Sequence, residues 1–213
     1  MDLIAIYDHI TGTRLCFLTN AYDISYTLTL NGLAAASFKL PADDPKNNYC
    51  TPLNYVEIFD DGERIDLFRI SPSKLTKKSG QKDIEYTCEH VLATLLDDVL
   101  FGAHSVGNIG TYTADVLNYV LDKQTVKRWS LAECDFQHQY LYTWENENLL
   151  SALFSIANCF VEPYIWTFDT REINNFKLSL KLRDTSSQKG EIRYGKNLDS
   201  ITKTIDPTNL CTR

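Results

Sequence analysis

The sequence predicts an α+β protein: antiparallel sheet early and late in the chain, with a helix-bearing middle. Three observations predict it. Apolar residues alternate with polar ones before residue 88, then recur at helical spacing over much of 91–158, then alternate strictly again from Phe176 to Leu182. With 213 residues and 44% hydrophobic content, the chain can bury a substantial core, and an aromatic content of 12% disfavours disorder.

Tyr22 to Leu30 and Ala36 to Leu40 are read as strands joined by a turn at Asn31-Gly32. Tyr55 to Phe59 and Arg64 to Phe68 flank Asp60-Asp61-Gly62, and Asp-Gly supplies the positive φ angles of a tight hairpin. A second hairpin is expected with Lys77-Lys78-Ser79-Gly80 at its tip and Ile84 to Cys88 as the return strand. Those lysines read as a solvated loop, since no helix N-terminus or glycine cradle accompanies them.

The period then changes. Val91, Leu92, Leu95, Leu96 and Val99 are spaced for a helix, as are Val116, Leu117, Val120 and Leu121, with Thr111 or Thr113 as N-cap. A third helix is expected from Glu145 to Asn158, facing inward with Leu149, Leu150, Leu153, Ile156 and Ala157. Phe160 to Phe168 and Phe176 to Leu182 read as strands, the latter with Phe176, Leu178, Leu180 and Leu182 inward. Glu191 to Tyr194 and Leu198 to Ile205 read as a hairpin around Gly195-Lys196-Asn197. The organisation is a β-rich domain over 1–88, an α+β insertion over 89–185, and strands over 186–213 that return to the first sheet.

Composition excludes several functions. A net charge of -7 is the wrong sign for a surface that coats nucleic acid, although an acidic chain can border a conduit through which DNA slides. The six cysteines (Cys16, Cys50, Cys88, Cys134, Cys159, Cys211) contain no CxxC pair, so zinc and redox dithiol sites are unsupported, and reduced, buried thiols are expected. The opening residues lack the basic and apolar regions of a signal peptide, and Leu149 to Val161 is too short and too interrupted to span a bilayer, so membrane insertion is not expected.

Motif by motif, catalysis finds little support. Gly190 to Lys196 fits G-x-x-x-x-G-K, but Asn197 replaces the magnesium-binding hydroxyl and no helix is expected to follow. His9, His90, His104 and His138 lack ligand spacing. Cys88 beside His90, and Cys134 near His138, are formal Cys-His pairs, for which a structural role is the simpler reading. Asp43-Asp44, Asp60-Asp61 and Asp97-Asp98 sit where turns and helix ends explain them, and GxSxG is absent. Tyr140, Tyr142, Trp144, Tyr164, Trp166 and Phe168 would line a sugar-binding surface if exposed, and belong to core or interface if buried.

The stretch RYGKNLDSITKTID, Arg193 to Asp206, followed by Thr208 to Arg213, resembles the N-terminal region of tailed-phage and prophage tail hub proteins, also known as tail-associated lysins or prophage endopeptidase tail proteins. Glu85 to Leu96, Thr111 to Leu121, Trp144 to Ala157 and the strands Val161 to Phe168 and Phe176 to Arg183 are similar to that family in order; the first eighty residues match in pattern alone. The resemblance implies a baseplate-hub-like fold, with a tube-type β-domain carrying the α+β insertion and a second tube domain beginning near the end of the chain. It implies a virion tail-tip protein, assembled in the bacterial cytoplasm, that forms a homotrimeric ring in the full-length protein. Its partners would be a distal tail protein or hexameric tail-tube rings, with tape-measure protein and DNA passing through the channel. Because the sequence stops where such a second tube domain begins, a piece of a longer protein is expected, with any lytic or receptor-binding activity beyond Arg213. No catalytic, cofactor or metal residues are nominated. The rival readings are a cell-wall hydrolase and a carbohydrate-binding module.

Overall fold

The computed structural model describes residues 3–71 and 83–186. Seven strands form one antiparallel sheet: β1 (Leu3–Tyr7), β2 (Arg14–Leu18), β3 (Tyr22–Thr27), β4 (Ala35–Pro41), β5 (Tyr55–Asp60), β6 (Glu63–Ile70) and β7 (Asp83–His90), in the order β2-β1-β5-β6-β7-β4-β3. The hairpin between β5 and β6 turns through Asp61 and Gly62, at φ 48° and 85°, as the Asp-Gly signal requires. The tip expected at Lys77 to Gly80 lies outside the described residues, as do the hairpin expected over 191–205 and the Gly190 to Lys196 stretch.

One face of this sheet buries Ile4, Ile6, Phe38, Leu40, Val56, Ile58, Phe68, Ile70 and Cys88 in a common cluster. A flat sheet could not bring β3 against β5, four places away in the strand order, so the sheet curls. Bonds across the curl hold it: Tyr26 of β3 donates its hydroxyl to Asp60 of β5 (2.7 Å), Asn20 after β2 donates to Asp44 (2.8 Å), and Tyr86 donates to Asn47 (2.9 Å). Asp44 also caps the 3-10 turn Pro45–Tyr49 by accepting from the Lys46 N–H.

After β7, Val91–Leu96 makes a short 3-10 helix. The helical spacing does not continue to Val99, which opens β8 (Val99–Gly107). Asp97 and Asp98 end the turn, Asp97 by pairing with Arg69 and Asp98 by accepting the Leu149 N–H on its carbonyl. Then follow α1 (Thr113–Leu121), β9 (Trp129–Cys134), β10 (Leu141–Asn148), α2 (Leu149–Ala157), β11 (Tyr164–Asp169) and β12 (Phe176–Leu182). β8 pairs with β10, while β11, β12 and β9 form a three-stranded sheet whose β12–β9 pairing is parallel.

Three expectations are corrected here. The N-cap of α1 is Tyr112, not Thr111 or Thr113. Its N–H donates to Asp115 (2.9 Å), while Thr113 is fully buried and exchanges hydrogen bonds with the His138 backbone. The third helix begins at Leu149, not Glu145. Tyr142 and Trp144 alternate inward as strand residues, and the Asn148 side chain caps α2 by accepting the Ser151 N–H (2.8 Å). Leu182, expected inward, is 55% exposed as the last residue of β12, whereas Phe176, Leu178 and Leu180 are fully buried.

A second core joins Leu92, Leu95, Val116, Leu117, Val120, Trp129, Leu149, Leu153, Ile156, Trp166 and Leu178. Tyr55 of β5 and Leu67 of β6 belong to this second core, not to the first. Both faces of the curled sheet are therefore used. Residues 1–183 form one compact unit.

Candidate functional site

Side chains on four loops and strand ends lock the curled sheet against the three-stranded one. Asn31, at the turn between β3 and β4 (φ 55°), accepts the Trp166 N–H (2.9 Å) and donates to the Tyr164 carbonyl (3.2 Å), so its amide copies a neighbouring strand at the free edge of β11. Asn174 (φ 64°) donates to the carbonyls of His9 and Ile10 and accepts from the Tyr55 hydroxyl (3.0 Å). Arg64 donates to the Thr170 carbonyl and hydroxyl (both 3.0 Å) and to Glu57, which also accepts from the Tyr7 hydroxyl (2.7 Å).

At the centre of this seam lies Asp66. Its Oδ1 accepts from the Leu67 N–H (2.8 Å) and from the Thr170 hydroxyl (2.5 Å), and its Oδ2 stands 3.3 Å from His90 Nε2. Burial acts to raise the Asp66 carboxyl, but His90, the Thr170 hydroxyl and the Leu67 N–H outweigh it and hold it below the usual aspartate value. His90 is 3% exposed. Its Nδ1 accepts the Leu92 N–H (3.2 Å), so the ring proton sits on Nε2, where alignment with Asp66 is too poor for a hydrogen bond.

An Asp–His pair invites a hydrolytic reading, and the geometry counts against it. A general base needs a free nitrogen facing a nucleophile. His90 commits Nδ1 to a backbone N–H, and the hydroxyl beside the pair, Thr170, donates to Asp66 instead. Cys88, two residues before His90, is buried in the first core, and burial pushes its thiol up. Burial likewise pushes the Cys50 thiol up to about 12 and raises that of Cys134 near His138. None of these three is an activated thiolate. The other histidines have separate partners: His9 meets Asn54, His104 meets Tyr119 and the Phe101 carbonyl, and His138 stands 3.3 Å from Glu162. Among the described residues, no three His, Cys, Asp or Glu side chains gather in a way that could hold a metal ion, and no described helix is long and apolar enough to cross a membrane.

The six aromatics do not make an exposed platform. Tyr142 and Trp144 stack in parallel, but both are buried under α2, their polar atoms bonded to the Ile156 carbonyl and the Ser155 hydroxyl. Trp166 is buried as well. Tyr140 is exposed and Tyr164 and Phe168 are half-buried, so three of the six rings are withdrawn from any shared sugar-binding platform.

Between the Leu28 to Ala34 loop and β11 runs an open cleft of ≈ 400 Å³, with Asp66 and His90 in its lining. Leu28 and Leu30 stand on its lip, 60% and 55% exposed. Sequence reasoning singled out His90 alone among the seam residues. Asn31 was read only as a turn former, and Asn174, Thr170, Arg64 and Asp66 carry no local signal of their pairing.

Comparison with known proteins gives this arrangement a context. The family model described as the prophage endopeptidase tail domain matches residues 98–175. No curated protein sequence matches the chain. Among solved structures, the prophage tail protein gp18 from Listeria monocytogenes EGD-e is similar with a TM-score of 0.57 at 16% identity, over 93% of this chain and 56% of its own. The tail protein from Neisseria meningitidis MC58 is similar with a TM-score of 0.56 at 17% identity, over 88% of this chain and 52% of its own. The 43 kDa tail protein of prophage MuSo2 from Shewanella oneidensis gives 0.53 at 12% identity, over 83% and 54%. The chain thus has the fold of prophage tail proteins, mostly antiparallel sheet with few helices, and spans about half the length of those it resembles.

Proposed function

We propose that this chain is the N-terminal part of a structural subunit of a phage or prophage tail tip, a tail hub. The observation that carries the reading is the likeness in fold to three prophage and bacterial tail proteins, together with the family match over residues 98–175. In this reading the curled sheet of 1–88 is a tube-type domain and 89–185 is its α+β insertion, while the strands expected over 186–213 lie almost wholly outside the described residues. The full-length protein closes as a homotrimer, since a symmetric ring is what joins a hollow tube to a tip. It docks on a distal tail protein or on hexameric tube rings, and tape-measure protein and then DNA pass through its channel. Assembly takes place in the bacterial cytoplasm.

The seam commits its polar side chains to bonds between the two sheets, which supports a structural part more than a catalytic one. The family description favours a second reading, in which the whole protein is a tail-associated endopeptidase. Light scattering over a concentration series tests the first reading. The full-length product is expected at three times its chain mass, and a full-length monomer at high concentration would overturn the hub. Peptidoglycan or peptide cleavage by this chain itself, lost on replacing one cysteine or histidine, would favour the enzyme.

A further inference from the structure

The free edge of β11 has a rung that no described residue fills. β11 and β12 pair antiparallel with Tyr164 opposite Leu182, Trp166 opposite Leu180 and Phe168 opposite Leu178. The Arg183 N–H donates to the Pro163 carbonyl, so 163, 165 and 167 turn their peptide groups toward β12. Residues 164, 166 and 168 therefore turn theirs outward. Asn31 takes the first outward pair, the Tyr164 carbonyl and Trp166 N–H. Arg64 takes the Thr170 carbonyl at the far end. Between these two clamps, the Trp166 carbonyl and Phe168 N–H meet no described partner, and Trp166, Thr167 and Phe168 line the ≈ 400 Å³ cleft.

That cleft also holds a poorly satisfied donor. The His90 side chain is nine-tenths buried and more, it lines the cleft, and its Nε2–H, 3.3 Å from Asp66 Oδ2 but poorly aligned with it, makes no hydrogen bond to a described residue. A buried donor so poorly satisfied calls for an explanation. Charge adds a third constraint. Asp66 is held ionised, and among the described residues no lysine or arginine lines the cleft. Arg64 is 3.9 Å from Asp66 and is shared with Glu57, so the Glu57–Arg64–Asp66 group by itself keeps a net negative charge. Leu28 and Leu30 add an exposed apolar lip.

We infer that this cleft is a strand-docking groove for an extended segment of a partner protein, one that turns an apolar and a basic side chain toward it at alternate positions. The segment adds to β11 through the Trp166–Phe168 rung, its apolar side chain covers Leu28 and Leu30, its basic side chain faces Asp66, and one of its carbonyls accepts from His90 Nε2. Backbone bonds give such a mode its affinity and alternate side chains its specificity. The inference does not depend on the tail reading, because it rests on the groove alone.

The test uses the 213-residue chain and two acetylated, amidated hexapeptides, Thr-Val-Thr-Lys-Thr-Val and the same sequence with Glu for Lys. Amide exchange read by NMR is expected to slow at least tenfold at Phe168 with saturating Lys peptide, and not with the Glu peptide. The double variant L28D/L30D, altered on the exposed lip, is expected to keep the parent's melting temperature and lose this protection. Three outcomes would overturn the groove as stated: unchanged Phe168 exchange with both peptides, equal protection by both, or protection that rises with protein concentration in the absence of peptide, which would make the occupant a second copy of the chain.

Discussion

Asp66 and its neighbours concentrate the consequences that a single side chain can have. Its folded carboxyl is held low, so the stability it contributes is present above the ordinary aspartate range, near pH 4, and is lost as pH falls through the depressed folded value. D66N leaves Thr170 and His90 facing an amide, and is expected to cost about 1–3 kcal/mol at pH 7. The gap between parent and variant should be full at pH 6 and shrink as pH drops below 4, which urea titrations at several pH values will show; a constant gap would mean that the carboxylate charge is irrelevant. The cysteines give a second expectation. Cys50 and Cys88 are buried with raised thiols, whereas Cys159 is exposed. A thiol reagent at pH 8 should modify Cys159 within minutes and reach Cys50 and Cys88 only at the rate of unfolding, as peptide mass mapping of the labelled protein would reveal.

At the scale of elements, two glycines on β8 separate backbone strain from collision. Gly102 (φ 83°) has open space where a Cβ would go, while at Gly107 (φ 106°) a Cβ would sit 2.0 Å from the Tyr140 carbonyl oxygen. G102A should therefore cost about 1–2 kcal/mol for the left-handed conformation alone. G107A adds a clash with backbone and should cost at least twice that, or separate β8 from β10; equal urea midpoints would refute the distinction. How far such elements can be read from sequence depends on whether the deciding signal is local. The Asp61-Gly62 turn and the Val116, Leu117, Val120, Leu121 stripe are local, and both elements form where expected. Val91 to Val99 carries a helical stripe, yet one 3-10 turn forms, because Asp97 is drawn to Arg69 and Asp98 to Leu149. Glu145 to Asn148 looks like a polar first helical turn and is instead paired with β8. The seam was the least legible part. Asn31 meets β11 across 133 residues and Asn174 meets the β1–β2 turn across 165. No window of sequence contains both partners.

Taken whole, the unit of residues 1–183 is held together by its two cores, and the seam sets how they register. If so, N31A and N174A should each lower stability by about 0.5–2 kcal/mol, leaving one cooperative transition. Their double variant is expected to exceed neither sum by much, since the two amides share no partner. Loss of cooperativity in calorimetry, with two resolved transitions, would show that the curled sheet and the helix-bearing part fold as separate domains.

Tyr55 and Leu67 are almost fully buried, but what covers them comes from Val91 onward in the chain. During synthesis the curled sheet leaves the ribosome first, with this face bare. At roughly 5–20 residues per second, the remaining ~90 residues of the second core take on the order of 5–20 s to follow. The parallel β9–β12 pairing cannot close until β12 itself has emerged. Throughout that interval the nascent chain carries an aromatic and an aliphatic side chain open to its neighbours on the same messenger. In a protein made in many copies over a short period, that makes the order of translation a determinant of yield, and chaperone occupancy should fall once residue 180 clears the exit tunnel.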